Sequence, residues 1–241
     1  MPTTSDTEKY FDENAANLVA GNLIDKWSAL DWLTESLVPG GELLECGAGT
    51  GLYTFRFVDM GLKVSSIDLS RVSLDQIDAT ASRRGVTDRV STIQGEFCST
   101  VGASSDQYDA VSFIKVLHHF SAAERIAHGI QIAYERLRPG GVIIGFEPNG
   151  LAPLWLLNLR LMRGAEVWEN EKNYLLIRRN RFERIFQSLP GANWQFRYRY
   201  FLPGSIVCRT PSLDRLDRAL CRIPVLNRVA LNLLFRVRKP H

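Results

Sequence analysis

Glu45-Cys46-Gly47-Ala48-Gly49-Thr50-Gly51 decides how this chain folds. A short apolar run over residues 42–46 enters it, and Tyr53, Phe57 and Met60 leave it at helical spacing, so the glycines form the turn of a strand, glycine turn, helix unit. Such a turn lets backbone approach a ligand and sets N–H groups of a helix start beside it. The spacing is G-x-G-x-G with an acid two residues ahead, whereas dinucleotide binders use G-x-G-x-x-G. A carboxylate there repels a pyrophosphate and suits a ligand carrying an ammonium and a sulfonium.

Outward from the turn the alternation continues. Residues 63–67 read as a second strand ending at Asp68, followed by a helix that Ser70 caps and Gly85 closes. Residues 89–95, 108–114 and 142–146 read as three further strands. Ser121-Ala122-Ala123-Glu124 has capping-box form before a helix carrying Ile126, Ile130, Ala133 and Leu137, which Pro139-Gly140-Gly141 stops. Upstream, Leu23, Ile24, Trp27, Leu30, Leu33 and Leu37 recur at helical spacing until Pro39-Gly40-Gly41. Short apolar strands separated by helices predict an α/β fold, a doubly wound and mostly parallel sheet covered on both faces.

Beyond Glu147 come an apolar insert (151–162), a helix from Tyr174 to Leu189, a strand from Asn193 to Phe201 and a helix from Leu213 to Arg222. A last strand, Val229 to Val237, carries Leu231, Leu233, Phe235 and Val237 on one face. The insert, with Leu151, Leu154, Trp155, Leu156, Leu157, Leu159, Leu161 and Met162, fits a cover over a hydrophobic acceptor, a core helix or a contact in a homo-oligomer.

Ligands of such sheets bind at the carboxyl ends of the strands. Asp68 stands there, able to accept hydrogen bonds from a ribose diol or to serve simply as an acid ahead of the next helix. His118 and His119 follow the fourth strand and Glu147 ends the fifth, at the same edge. Histidine suits proton removal from a hydroxyl acceptor near neutral pH, and His119 is the preferred base. One backbone-bonded and one solvated histidine would give the same pair. Glu147 fits better as an organiser of substrate or of the Pro148-Asn149 loop than as a proton carrier. No further clear ligand joins His118, His119 and Glu147, so no metal is expected.

With 241 residues, 45% hydrophobic, the chain can bury one substantial core. Cys46, Cys98, Cys208 and Cys221 are too scattered for a zinc set or a secreted disulfide framework and read as reduced thiols. No secretory signal or spanning segment is visible, which makes the expected place the cytoplasm. The net charge of +3 conceals an asymmetry: from Arg197 onward there are ten Lys or Arg and two Asp. Arg197, Arg199, Arg209, Arg215, Arg218 and Arg222 form either a solvated face or, with the insert, a peripheral contact with an anionic membrane. No nucleic-acid partner is expected, since no recognition module is present.

The stretches LLECGAGTG (43–51), SIDLS (66–70), QGEF (94–97), YDAVSFIKVLHHF (108–120) and RLRPGGVIIGFEPN (136–149) occur in one order. Together they resemble the class I S-adenosylmethionine-dependent methyltransferases, especially the small-molecule enzymes related to quinone biosynthesis. The resemblance implies a Rossmann-like, seven-stranded sheet whose last strand, 229–237, runs antiparallel between 142–146 and 193–201. It implies S-adenosyl-L-methionine as cofactor, with Glu45 and the turn of Gly47, Ala48, Gly49 and Gly51 at its amino acid part. Asp68 would take the ribose, Leu69, Glu96 and Phe97 the adenine, and the Lys115 and Val116 backbone the methionine end. Many relatives carry Asp where Glu96 stands. The single domain would comprise an N-terminal helical lid (1–38) bringing Tyr10 and Phe11 over the cofactor, a cofactor-binding core (39–149), a substrate cover (150–172) and a C-terminal part (173–241). Methyl transfer to a small, hydrophobic O- or N-acceptor is the expected reaction. A nicotinamide-dependent oxidoreductase and a non-catalytic binding protein stay open on the same fold.

Overall fold

A computed structural model describes Asp12 and residues 27–120, 122–153, 156–157, 172–202, 207 and 210–241. Tyr10, Phe11 and most of the 151–162 insert lie outside the described residues, as do Leu23, Ile24, Ser121, Cys208 and Arg209. In chain order the main elements are α1 (Trp27–Thr34), β1 (Glu42–Cys46), α2 (Leu52–Asp59), β2 (Lys63–Asp68), α3 (Arg71–Arg84), β3 (Val90–Gln94), α4 (Phe97–Ala103) and β4 (Tyr108–Ile114). There follow a 3-10 turn (Leu117–His119), α5 (Ala123–Glu135), β5 (Leu137–Pro148), α6 (Arg179–Gln187), β6 (Asn193–Arg199), α7 (Pro211–Leu220) and β7 (Asn232–Arg238).

The strands form one sheet in the order β3-β2-β1-β4-β5-β7-β6. Pairing is parallel from β3 to β5, and β7 runs antiparallel to both β5 and β6. The strand order reverses direction beside β1 and β4, which opens a crevice at their carboxyl ends.

Both faces are covered, and the strand sequences show why. Successive side chains alternate between faces. Leu44, Val111, Phe113, Ile143, Leu233, Phe235 and Val237 pack into one core with Ile126, Ile130 and Ala133 of α5 and Phe182 and Phe186 of α6. Leu43, Val64, Ala110, Ile144, Phe146 and Leu234 pack into the other with Leu30 and Leu33 of α1 and Phe57 of α2. Phe235 sits at the centre of an aromatic group, its ring 4.8 Å from Phe182 and 5.3 Å from Phe186.

Several boundaries move. Leu231 precedes β7 and joins the α1 side of the core, not the face of Leu233, although its N–H still donates to the Tyr200 carbonyl at 2.5 Å, in line with the β6–β7 register. The residue ahead of α5 is Ala122, which has no side-chain group to cap the helix. Leu137 and the Pro139-Gly140-Gly141 segment belong to β5 rather than to the helix before it or a stop after it. The 174–189 helix divides into a 3-10 turn (Lys172–Leu176) and α6. Helix α1 ends at Thr34, ahead of Pro39. Cys46, Cys98 and Cys221 are free thiols, and no helix of the described residues is long and apolar enough to cross a membrane.

Candidate functional site

The glycine turn leaves β1 and is held by its neighbours. Gly47 N–H donates to the Ile67 carbonyl at 2.8 Å, and Gly49 N–H donates to Asp68 Oδ2 at 2.8 Å. Gly47 has φ +68, and a Cβ there would lie 2.4 Å from Val116 Cγ2. Only glycine lets the turn rest on the segment that follows β4. Gly49 has φ +52 and nothing within 4 Å of a Cβ position, so backbone meets open space there. Ala48 is buried in the turn, and Gly51 starts α2 in the left-handed conformation.

Asp68 ends β2, its second oxygen accepting from Ser70 N–H at 2.9 Å. Burial pushes its carboxyl above the ordinary value and Asp12 adds to this, against the Ser70 and Gly49 N–H groups. A carboxylate offers about four acceptor positions, and with the Gly49, Ser70 and Leu69 N–H groups on it one remains for a ligand hydroxyl. Ser70 caps α3 through Ser73 N–H at 3.0 Å and donates to Asp12, which places part of the N-terminal segment at this edge. Leu69 beside them is half-buried.

Glu45 departs from its expected place. Its carboxylate is turned into the protein, where Oε2 accepts from Thr54 Oγ1 at 2.5 Å and Ser66 Oγ at 3.1 Å. Burial raises its pKa to about 7 despite those two hydrogen bonds. Thr54 and Ser66 were not legible as partners, although a serine within a buried strand is a signal. The raised value has a stability consequence. Between the unfolded value of 4.5 and about 7 the folded chain holds a proton that the unfolded chain releases, so stability falls as pH rises through that window and levels off above it. Glu45→Gln is expected to remove most of that slope, about 2–3 kcal/mol, in urea titrations at pH 5 and pH 8.

The adenine candidates also differ from expectation. Phe97 is a core residue, packed edge-on against Phe113 at 5.2 Å, so its ring is not available to a base and only its backbone remains. Glu96 caps α4 by accepting from Ser99 N–H at 2.9 Å and pairs with Arg125 at 2.9 Å. Burial alone would raise its pKa, but the Ser99 and Cys98 N–H groups and Arg125 outweigh this and hold it low.

The opposite wall is built around Glu147, which is fully buried. Its Oε1 accepts from Val116 N–H at 2.7 Å and Leu117 N–H at 2.8 Å, and Oε2 lies 2.7 Å from His118 Nδ1. A carboxylate only accepts, so Nδ1 carries the hydrogen. Glu147 is therefore a positioning residue: all three partners belong to the turn after β4, and the side chain is fully buried. His118 is buried beside it, which leaves the half-buried His119, its ring centred 4.0 Å from that of His118, as the more accessible imidazole. Lys115 has φ +59, a left-handed conformation that turns the chain toward these bonds. Its Nζ donates to Asn232 Oδ1 at 2.6 Å and lies over the Phe146 ring, so its side chain faces β7 while its N–H donates to the Phe146 carbonyl at 2.8 Å. Among the described residues no three His, Cys, Asp or Glu side chains converge on a point where they could hold a metal ion.

Residues 43–141 match the family model described as methyltransferase domain. The fold is similar to that of the cyclase SpnF, with 19% identity, TM-score 0.63, and 99% of this chain and 97% of that one covered. It is similar to the N-methyltransferase NodS from Bradyrhizobium japonicum in complex with S-adenosyl-L-homocysteine (14%, 0.60, 98% and 99%). A third similar structure is the complex of DhpI with SAM and HEP (17%, 0.60, 96% and 95%). No curated protein matches the sequence.

Proposed function

We propose that the chain, whose residues 43–141 match the methyltransferase-domain family model, transfers a methyl group from S-adenosyl-L-methionine to a small, hydrophobic O- or N-acceptor. The observation that carries this reading is the pairing of the open Gly49 backbone with the Asp68 carboxylate at 2.8 Å. Together they present a backbone cradle and a spare acceptor position side by side, which fits an adenosyl ligand. Gly47 to Gly51 would hold the amino acid part, Asp68 the ribose, Leu69 and the Phe97 backbone the adenine, and Lys115 and Val116 the methionine end. When bound, the cofactor supplies an activated methyl group on a sulfonium.

The chain's own contribution is alignment and proton removal. Holding reactants in line is worth effective molarities of about 10⁵–10⁸ M, so acid-base help is secondary where the acceptor is already a good nucleophile. For a hydroxyl or phenol, an imidazole nitrogen of His119 takes the proton, with His118 and Glu147 fixing the turn that carries it.

Calorimetric titration with S-adenosyl-L-homocysteine tests the binding step, and absence of binding ends this reading. Asp68→Ala is expected to weaken that affinity about ten- to hundredfold through the loss of charge-assisted hydrogen bonds. Unchanged affinity would move the ribose elsewhere. A similar fold also carries a protein described as a cyclase, so binding alone does not establish transfer. Radiolabelled methyl incorporation over extracted metabolites and lipids supplies that second test. A nicotinamide-dependent reading is disfavoured by the glycine spacing, and reduced-nicotinamide fluorescence is expected to be unchanged by the protein.

A further inference from the structure

The C-terminal region is basic along its sequence, but the fold divides its charges. Arg199 is buried and bonds Asp214 at 2.8 Å and Asp217 at 3.3 Å. Asp217 also accepts from the N–H groups of Tyr200 at 3.1 Å and Phe201 at 2.7 Å. Both acids of α7 are thereby turned inward. Arg218 joins Asp214 in an ion pair, and Arg197, exposed on β6, lies over the Trp32 ring.

What residues 211–229 leave on the surface is of one kind. Arg215, Arg222 and Arg228 are exposed and have no ion pair among the described residues. Between them stand Leu216, Ile223, Val225, Leu226 and Val229, with exposures from 39% to 72%. Val225, the most exposed, has φ +74, a strained conformation for a β-branched residue. The face adjoins the candidate site. Asp217 anchors α7 to the chain just past β6, and the turn from Leu226 to Val229 leads into Asn232, which accepts from Lys115 Nζ. Asn149, two residues beyond Glu147, donates to the carbonyls of Arg228 and Ala230 at 2.8 Å each.

We propose that this face docks on an anionic lipid bilayer, with the three arginines on headgroups and the apolar side chains between them in the interfacial layer. Charge complementarity selects that occupant. A second copy of the same face would set arginines against arginines with no acid to oppose them. A polyanion such as RNA would use the cations and leave five apolar side chains in water. Docking does not depend on methyl transfer. Its consequence, that a lipophilic acceptor reaches the His119 edge from the membrane, rests on the methyltransferase reading.

The test is flotation of the full chain with vesicles of phosphatidylcholine alone or of equal phosphatidylcholine and phosphatidylglycerol, without cofactor. Binding to the anionic vesicles is expected to be at least about tenfold tighter and to weaken with salt. Arg215→Gln, Arg222→Gln and Arg228→Gln together are expected to lower it about a hundredfold, since each cation near such a surface is worth about 1 kcal/mol. Ile223→Ser with Val225→Ser is expected to lower it about tenfold at unchanged charge. All five positions are exposed, so melting temperatures should stay near that of the unsubstituted chain. Failure to bind anionic vesicles, or equal binding to both kinds, overturns the proposal. So does a serine pair that binds vesicles and single-stranded RNA as the unsubstituted chain does, which marks a polyanion surface. Loss of a dimer in sedimentation with vesicle binding intact assigns the face to a second copy instead.

Discussion

His119→Ala is expected to lower methyl transfer to any hydroxyl acceptor by about 10²–10⁴, the range a positioned general base contributes, and to leave S-adenosyl-L-homocysteine affinity nearly unchanged. The prediction follows from the division of labour between the two histidines. His118 is buried, and its Nδ1 hydrogen is committed to Glu147 at 2.7 Å. His119 is half-buried, its ring tilted at 42° against that fixed ring, and anchored by its own N–H to the Val116 carbonyl at 2.9 Å. Its side chain is therefore oriented by a neighbour that cannot itself reach an acceptor. The readout is kcat/KM against pH: the acidic limb present in the unsubstituted enzyme should be lost in the variant. Full activity with the same profile would remove His119 as a base and leave alignment as the chain's whole contribution. An amine acceptor that enters already deprotonated should be far less affected.

Glu147→Ala has the largest expected effect on stability, a loss of about 3–5 kcal/mol, which corresponds to a melting temperature lower by about 10 °C. Alanine strands two backbone N–H groups and an imidazole hydrogen in a place from which water is excluded, and each unpaired donor costs about 1–3 kcal/mol. Glu147→Gln should fall between, because one amide oxygen still accepts while the NH2 group faces a donor. Urea unfolding measures both. A loss below about 1 kcal/mol for alanine would show that the turn after β4 is held by something other than this carboxylate. Because Val116 rests on Gly47, the same substitution should also loosen the glycine turn and weaken cofactor binding.

The site was only partly legible in the sequence. Gly47, Gly49 and Asp68 meet at one edge, as their spacing and strand-end position suggest, because these are local properties. The protein partners of Glu45, Glu96, Phe97 and Glu147 were not legible in the same way. Whether a carboxylate faces a ligand or a buried hydroxyl depends on what stands across from it in three dimensions. For Glu45 this is Thr54 and Ser66, nine and twenty-one residues away. For Glu147 it is a turn about thirty residues earlier in the chain.

The amino-acid sequence by itself determined the alternation of strands and helices, the two-sided cover of the sheet and the glycine turn, since periodicity and turn chemistry act over a few residues. The position of β7 between β5 and β6 came from family resemblance, and the pairing of Phe235 with Gly145 and Phe196 bears it out. The tertiary structure alone decided which charges are free. Arg199 and Arg215 read alike in a basic stretch, yet one is buried between two aspartates and the other stands in solvent, because burial and pairing are set by contacts that no local pattern contains.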